Sequence, residues 1–417
     1  MNLGNTKASV AVTVFLLMLG ACQSSGPVHK HHGNDVLPAE CERADALPSV
    51  RCASAASARF GPDGRLWLVW AQAGHVYVSS SSDQGKTFKS TAMVNKKPEA
   101  IAAKGENRPK IVISREQRVF VSWTQKTKAR YSGHIRFSYS SNGKEFSKPV
   151  TINDHLAETS HRFDSLGISE RGEIFVTWLD KRDRMEAEAA GQTYVGAALY
   201  YAVSHDGGKS FSKNTKIIDH TCECCRIALA MEKNQMPVLF WRHVYGDNIR
   251  DHALVRFGAM DLPKEVVRVS YDNWQVDACP HHGPALSIGE DGVYHLTWFN
   301  NAPERHGLFY AHSVDRGETF SAPMAYGNYQ AGAEHPAVLG LGMRVWLVWQ
   351  EFSGTQSELY IISSKDGGDT WSAPERLAAT SSSTDYPFLV TDGKSAFVIW
   401  QRIGQEFQLL SVADANQ

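Results

Sequence analysis

Neither sign of charge prevails in this chain of 417 residues: 43 Lys and Arg face 44 Asp and Glu, for a formal charge of −1. A protein whose partner is a nucleic acid needs a basic surface to displace phosphate counterions, so that class is excluded. Long apolar runs are missing beyond the first two dozen residues, which excludes a polytopic membrane protein. Sustained 3.6-residue periodicity is missing too, so helix should be scarce. Cysteine is sparse, with seven residues. What remains is ordinary globular composition, 42% hydrophobic and 21% charged.

The one long apolar run covers residues 8–21, follows Lys7 and ends Leu19-Gly20-Ala21-Cys22. As a helix it would span about 21 Å, short of a ~30 Å hydrocarbon core. It therefore reads as a secretory signal over residues 1–21. Its ending resembles the bacterial lipobox, which implies lipidation of Cys22 and a membrane anchored through that lipid. By the same resemblance, Gln23 and Ser24 imply the outer membrane of a bacterial envelope. Residues 22–48 then form a polar tether carrying His29, His31 and His32, and residues 49–417 form the folded part. Six cysteines remain for an oxidising compartment, where an even number invites pairing. Cys41 with Cys52 is the expected staple.

Seven segments share one form: a turn, then β-branched and aromatic residues ending in Trp. They end at Trp70, Trp123, Trp178, Trp241, Trp298, Trp349 and Trp400, a mean spacing of 55 residues. Such strands are apolar on both faces, as in a sheet packed between two others. One period holds about four short strands, which is a propeller blade. The expectation is an all-β propeller of four-stranded blades, seven rather than six, with residues 45–56 adding a strand to the short last blade.

A second motif, S-x-D-x-G-x-[ST]-[FW], recurs in phase with the first, centred on Asp83, Asp206, Asp315 and Asp366. Its Asp and Ser/Thr oxygens can hold turn amides while Gly supplies a positive φ. Repeat 2 carries a decayed copy ending at Gly143 and Phe146, with Ser141 at the place of the Asp; repeat 4 has none. These motifs resemble the Asp-box (BNR) repeats of the sialidase superfamily, over roughly residues 52–412. The family's boxes lie on the blade periphery and report no activity.

In a propeller the loops leading into the innermost strands meet at one mouth of the channel. Counting back equal distances from each Trp brings Asn107 and Arg108, His161 and Arg162, Cys224 to Arg226, His281 and His282, Glu334 and His335, and Asp385 and Tyr386 to that mouth. Cys222, Cys224 and Cys225 of repeat 4 thereby face Cys279, His281 and His282 of repeat 5. Thiolate and imidazole are ligands for copper or zinc. The same cysteines equally suit two disulfides or thiol redox chemistry, and these alternatives stay open. Arg108, Arg162 and Arg226 together suit a carboxylate or phosphate, or else pair with Asp164, Glu106 or Asp385 as structural ion pairs.

Sialidases bind their substrate's carboxylate with three arginines, and the resemblance extends that role to Arg108, Arg162 and Arg226. It would make Tyr386 the nucleophile, with Glu334 or Glu351 as its partner. The first repeat, reading Arg51 to Phe60, lacks the family's Phe/Tyr-Arg-Ile-Pro segment. A group of bacterial exported sialidase-like proteins is more similar, sharing Thr221-Cys-Glu-Cys-Cys-Arg226 and Ala278-Cys-Pro-His-His-Gly-Pro-Ala285. Three functions follow as expectations: an envelope-anchored binder of a soft metal or small ligand, an exo-glycosidase acting on acidic sugars, and an outer-membrane scaffold whose protein partner is unknown.

Overall fold

Each Trp-ending segment is the second strand of a sheet, and the seven indoles are at most 3% exposed. The structure, a computed structural model, describes residue 1, residues 37–43, 45–88 and 90–412. The signal segment, Cys22 and His29, His31 and His32 lie outside the described residues.

Seven antiparallel sheets follow one another along the chain, over residues 56–93, 101–151, 161–221, 228–268, 285–326, 334–380 and 388–411. Six hold four strand positions; in the second and fourth, one position is shared by two short strands. The inner strands are Ala56–Phe60, Lys110–Ile113, His161–Ile168, Ala228–Met231, Ala285–Ile288, Glu334–Leu341 and Phe388–Thr391. This is the seven-bladed propeller. Helix is scarce, as expected: among the described residues one α-helix, Arg182–Ala189, with no buried residue, hangs between two strands of blade 3. No helix among the described residues is long and apolar enough to cross a membrane.

The core is split into seven apolar clusters, and each is shared by two neighbouring blades. Trp67, Val69 and Val78 of blade 1 meet Ile111, Val121 and Trp123 of blade 2. The pattern runs round the ring until Phe397 and Ile399 of blade 7 meet Leu68 and Trp70 of blade 1. Blade faces with nothing polar to offer water are stable only against one another. Truncating one of these Trp side chains costs about 3–5 kcal/mol.

The ring closes differently from the expectation. Residues 45–56 add no strand, and blade 7 has three strands among the described residues. A 3-10 turn at Val50–Cys52 lies there instead, with Val50 and Ala53 plugging the seam between blades 7 and 1. A disulfide joins Cys41 to Cys52, as the sequence suggested. Arg108 spans the same seam from blade 2: its Nη1 and Nη2 donate to Asp385 at 2.6 and 2.7 Å, and Nη1 also reaches the Ala56 carbonyl.

The four Asp boxes form one repeated turn. In the first, Ser81 Oγ donates to Asp83 Oδ1 at 2.6 Å and accepts from the Gly85 amide. The Thr87 amide and hydroxyl donate to the same carboxylate. Gly85 sits at φ +79°, where a side chain is strained. Hydrogen bonds from Ser81 and Thr87 hold Asp83 well below the usual carboxylate range. Repeat 2 needs a correction. Its turn is one residue shorter, and Asn142 rather than Ser141 stands in for Asp, accepting from the Lys144 and Glu145 amides.

Candidate functional site

The seven inner strands surround a channel cavity of about 300 Å³, lined by Lys110, Ser165, Leu229, Leu286, Val338 and Leu389 among others. Burial pulls the Lys110 ammonium down to about 8, and its Nζ donates to the Arg108 carbonyl. The rim residues read from the sequence do gather at this end, in three separate groups rather than one.

The first group is structural. Glu106, buried at 6% exposure, takes the Arg226 amide at 2.8 Å, the Gly283 amide at 2.6 Å and Arg226 Nη1 at 3.2 Å. Arg226 spends its other donors on the carbonyls of Pro284 and Pro336. One carboxylate thus ties blade 2 to the loops of blades 4 and 5. With Arg108 held by Asp385, two of the three expected arginines are occupied, and no carboxylate receptor forms. Arg162 lies elsewhere, its guanidinium over Tyr131 and Phe163.

The second group holds sulfur. Cys222, Cys224 and Cys225 are all buried and unbonded, with Sγ atoms 3.7, 3.8 and 4.0 Å apart. They occupy the seam of blades 3 and 4, in one cluster with Phe163, Leu179 and Trp241. The Cys222 amide is tied to the Arg242 carbonyl. Two disulfides are not what this arrangement holds. Cys279 is exposed, 3.8 Å from Glu223 Oε1, and its hydrogen bond with Cys224 lowers its thiol pKa.

Three arginines interact electrostatically with the sulfurs, and sequence reading missed two of them. Arg242 and Arg250 are 1% and 5% exposed and form no ion pair among the described residues. Arg242 donates only to the carbonyls of Arg250, His282 and Phe299, and its Nε has no partner. Arg250 Nη1 has none either. Arg162, whose Nε is likewise buried and unsatisfied, is the third, and burial lowers its pKa. A buried cation is stable only beside a compensating charge. A thiolate at Cys222 would supply it. Cys222 is held well below the ordinary thiol range, first by hydrogen bonds from Cys224 and Cys225 and then by Arg242 and Arg250, against burial. Cys224 and Cys225 are pushed up by sharing that charge. The signal available in the sequence was Arg242 itself, a charge directly after the strand-ending Trp where other repeats carry Ala71, Leu179 or Phe299.

The third group corrects the imidazole assignment. His281 is exposed. His282 turns from the sulfurs to blade 6, where its Nε2 lies 3.9 Å from Glu334 Oε2, and His335 Nε2 lies 3.6 Å from the same oxygen. Tyr386 stacks on His335 with ring centroids 3.3 Å apart. Burial, then the charges of Glu106 and Glu334, raise the Tyr386 hydroxyl pKa above its usual value. A phenol held protonated is a poor nucleophile. Glu351 accepts from Trp349 Nε1 and the Asn328 amide, a structural role.

No known protein family and no curated protein matches the sequence. Solved structures do match the fold. An ulvan lyase of polysaccharide lyase family PL25 aligns with TM-score 0.55 at 9% identity, over 84% of this chain and 89% of that one. The polysaccharide lyase Uly1 gives 0.54 at 10%, over 87% and 90%. The Hadza microbial sialidase Hz136 gives 0.50 at 10%, over 84% and 76%. The chain is a propeller of the kind found in sialidases and polysaccharide lyases, and at these identities the likeness concerns fold alone.

Proposed function

We propose that this protein binds a soft metal cation, copper(I), through Cys222, Cys224 and Cys225. One observation carries the reading: three buried thiols 3.7–4.0 Å apart with unpaired guanidinium groups around them. Metal–sulfur bonds of about 2.3 Å give sulfur–sulfur edges of roughly 3.8 Å in a tetrahedral site and 4.0 Å in a trigonal one. Thiolates favour copper(I) and zinc. Charge favours the monovalent ion, because three thiolates around copper(I) leave two negative charges to offset Arg162, Arg242 and Arg250, whereas zinc leaves one. Cys279, at the surface end, is the ligand through which a metal arrives. The lipid anchor expected at Cys22 would hold this site at the envelope, with the propeller faces free for a protein partner.

The test is metal content against thiol count on protein purified without oxygen and loaded with copper(I) or zinc. One equivalent of copper with three thiols protected supports the reading. No bound metal in the loaded protein overturns it, as does a Cys222→Ser, Cys224→Ser, Cys225→Ser variant that binds copper as well as the parent. A glycoside-processing activity at the mouth is the second reading. It rests on the shared fold, with Tyr386 and Glu334 as its residues.

A further inference from the structure

We propose a second metal site, for a borderline divalent cation such as zinc, formed by His282 of the blade 5 loop with Glu334 and His335 of blade 6. It is independent of the thiol site. One ligand atom from each of the three residues lies within 4.8 Å of the other two. Two imidazoles and one carboxylate are a three-ligand set that leaves positions open for water or a ligand.

Glu334 Oε2 lies 3.6 Å from His335 Nε2 and 3.9 Å from His282 Nε2, wider than hydrogen bonds. With metal–ligand bonds of about 2.1 Å, a tetrahedral edge is roughly 3.4 Å. The two edges to Glu334 thus lie within about half an ångström of that value, and the imidazoles lie within 4.8 Å of each other.

The surroundings hold each ligand in place. Gln350 Nε2 donates to Glu334 Oε1 at 2.9 Å, which leaves Oε2 to face the imidazoles. His335 sits at φ +52° within a bulge between Glu334 and Ala337, so the chain accepts a disfavoured conformation to aim this ring. His335 packs on Tyr386, and His282 packs on Phe299 with centroids 4.3 Å apart. The His282 carbonyl accepts from Arg242, and the next residue, Gly283, is clamped by Glu106. Ligands fixed from outside in this way are a property of metal sites. Tyr386, Pro284 and Ala337, which adjoin the three ligands, line the channel cavity.

The experiment separates this site from the thiols. The Cys222→Ser, Cys224→Ser, Cys225→Ser variant is titrated with zinc by calorimetry and with cobalt(II) by absorption. One equivalent should bind, with a cobalt spectrum lacking sulfur charge-transfer bands. Adding Glu334→Gln should weaken binding at least about tenfold, and Gln350→Ala, which touches no metal, should weaken it roughly tenfold. Each variant is checked for an unchanged melting profile, and His282→Ala serves if Glu334→Gln misfolds. Absence of saturable binding to the triple serine variant overturns the proposal. So does binding unaffected by Glu334→Gln and His282→Ala. Copper(I) binding by the parent chain is untouched by either result.

Discussion

The carboxylate of Glu106 accepts the backbone N–H of Gly283 at 2.6 Å, though 177 residues separate them in the chain. This contact needs glycine. A Cβ at position 283 would stand 2.3 Å from Arg226 Cγ and 2.7 Å from Glu106 Oε2. Gly283→Ala should therefore destabilise the fold by about 1–3 kcal/mol, as overpacking does. Glu106→Ala, which leaves Arg226 without its carboxylate, should cost about 3–5 kcal/mol. Urea denaturation checks both; a Gly283→Ala midpoint equal to the parent's would refute the clamp.

Thiol reactivity should divide sharply in the native, reduced, metal-free fold. Cys279 is exposed while Cys222, Cys224 and Cys225 are buried. Alkylation of a chain starting at residue 37 should label one cysteine quickly and three more only on unfolding, with Cys41 and Cys52 left out as the disulfide. Peptide mass analysis reads the order. Rapid labelling of all four would mean that the trio is open to solvent.

Arg242 should matter to the bound cation without touching it. Arg242→Met keeps much of the side chain's volume and removes its charge from the sulfurs. It should raise the pKa of Cys222 and weaken copper(I) binding, with the loss growing as pH falls. Competition with a copper(I) chelator at two pH values measures this. Equal affinity in both proteins would remove the electrostatic part of the argument.

Stability should fall on mild acidification. Burial holds His161, His243 and His295 down to about 4, and His252 well below its ordinary value. A folded-state pKa below the unfolded value of about 6.5 means that the native state binds fewer protons. The stabilisation from these neutral imidazoles is complete above about 6.5 and is lost as pH falls towards 4, by ~1.4 kcal/mol per pH unit for each ring. The melting temperature should hold steady above pH 7 and drop below pH 6.5. A flat profile down to pH 5 would contradict this.

On acidic glycosides the protein should show no turnover, because Arg108 and Arg226 are committed to Asp385 and Glu106. A panel including a fluorogenic sialoside tests it. Turnover that disappears in Tyr386→Phe would establish the glycosidase reading instead.

The blades were legible because the second strand of each is buried on both faces, a constraint that leaves Val, Leu, Phe and Trp in an unbroken run. The Asp boxes were legible because one turn geometry admits few residues. The mouth was legible only in outline. Equal counting from each Trp assumes equal loops and regular strands, but bulges follow Arg162 and Glu334. The direction of a side chain at such a bulge is set by tertiary contacts. His282 is the clearest instance: its ring packs between Phe299 of its own blade and His335 of blade 6 rather than on the sulfurs. Ring closure was misjudged for a related reason. A strand adds backbone hydrogen bonds, whereas here Arg108 and the Val50 turn close the gap with side chains, which leave no periodic trace.

The sulfur trio lies inside the apolar joint between two blades, so whatever it holds also works as a rivet. Under the proposed function, occupancy and the integrity of the wheel would become one variable: a metal captured there would tighten a joint that the whole ring needs, and its release would loosen that joint first.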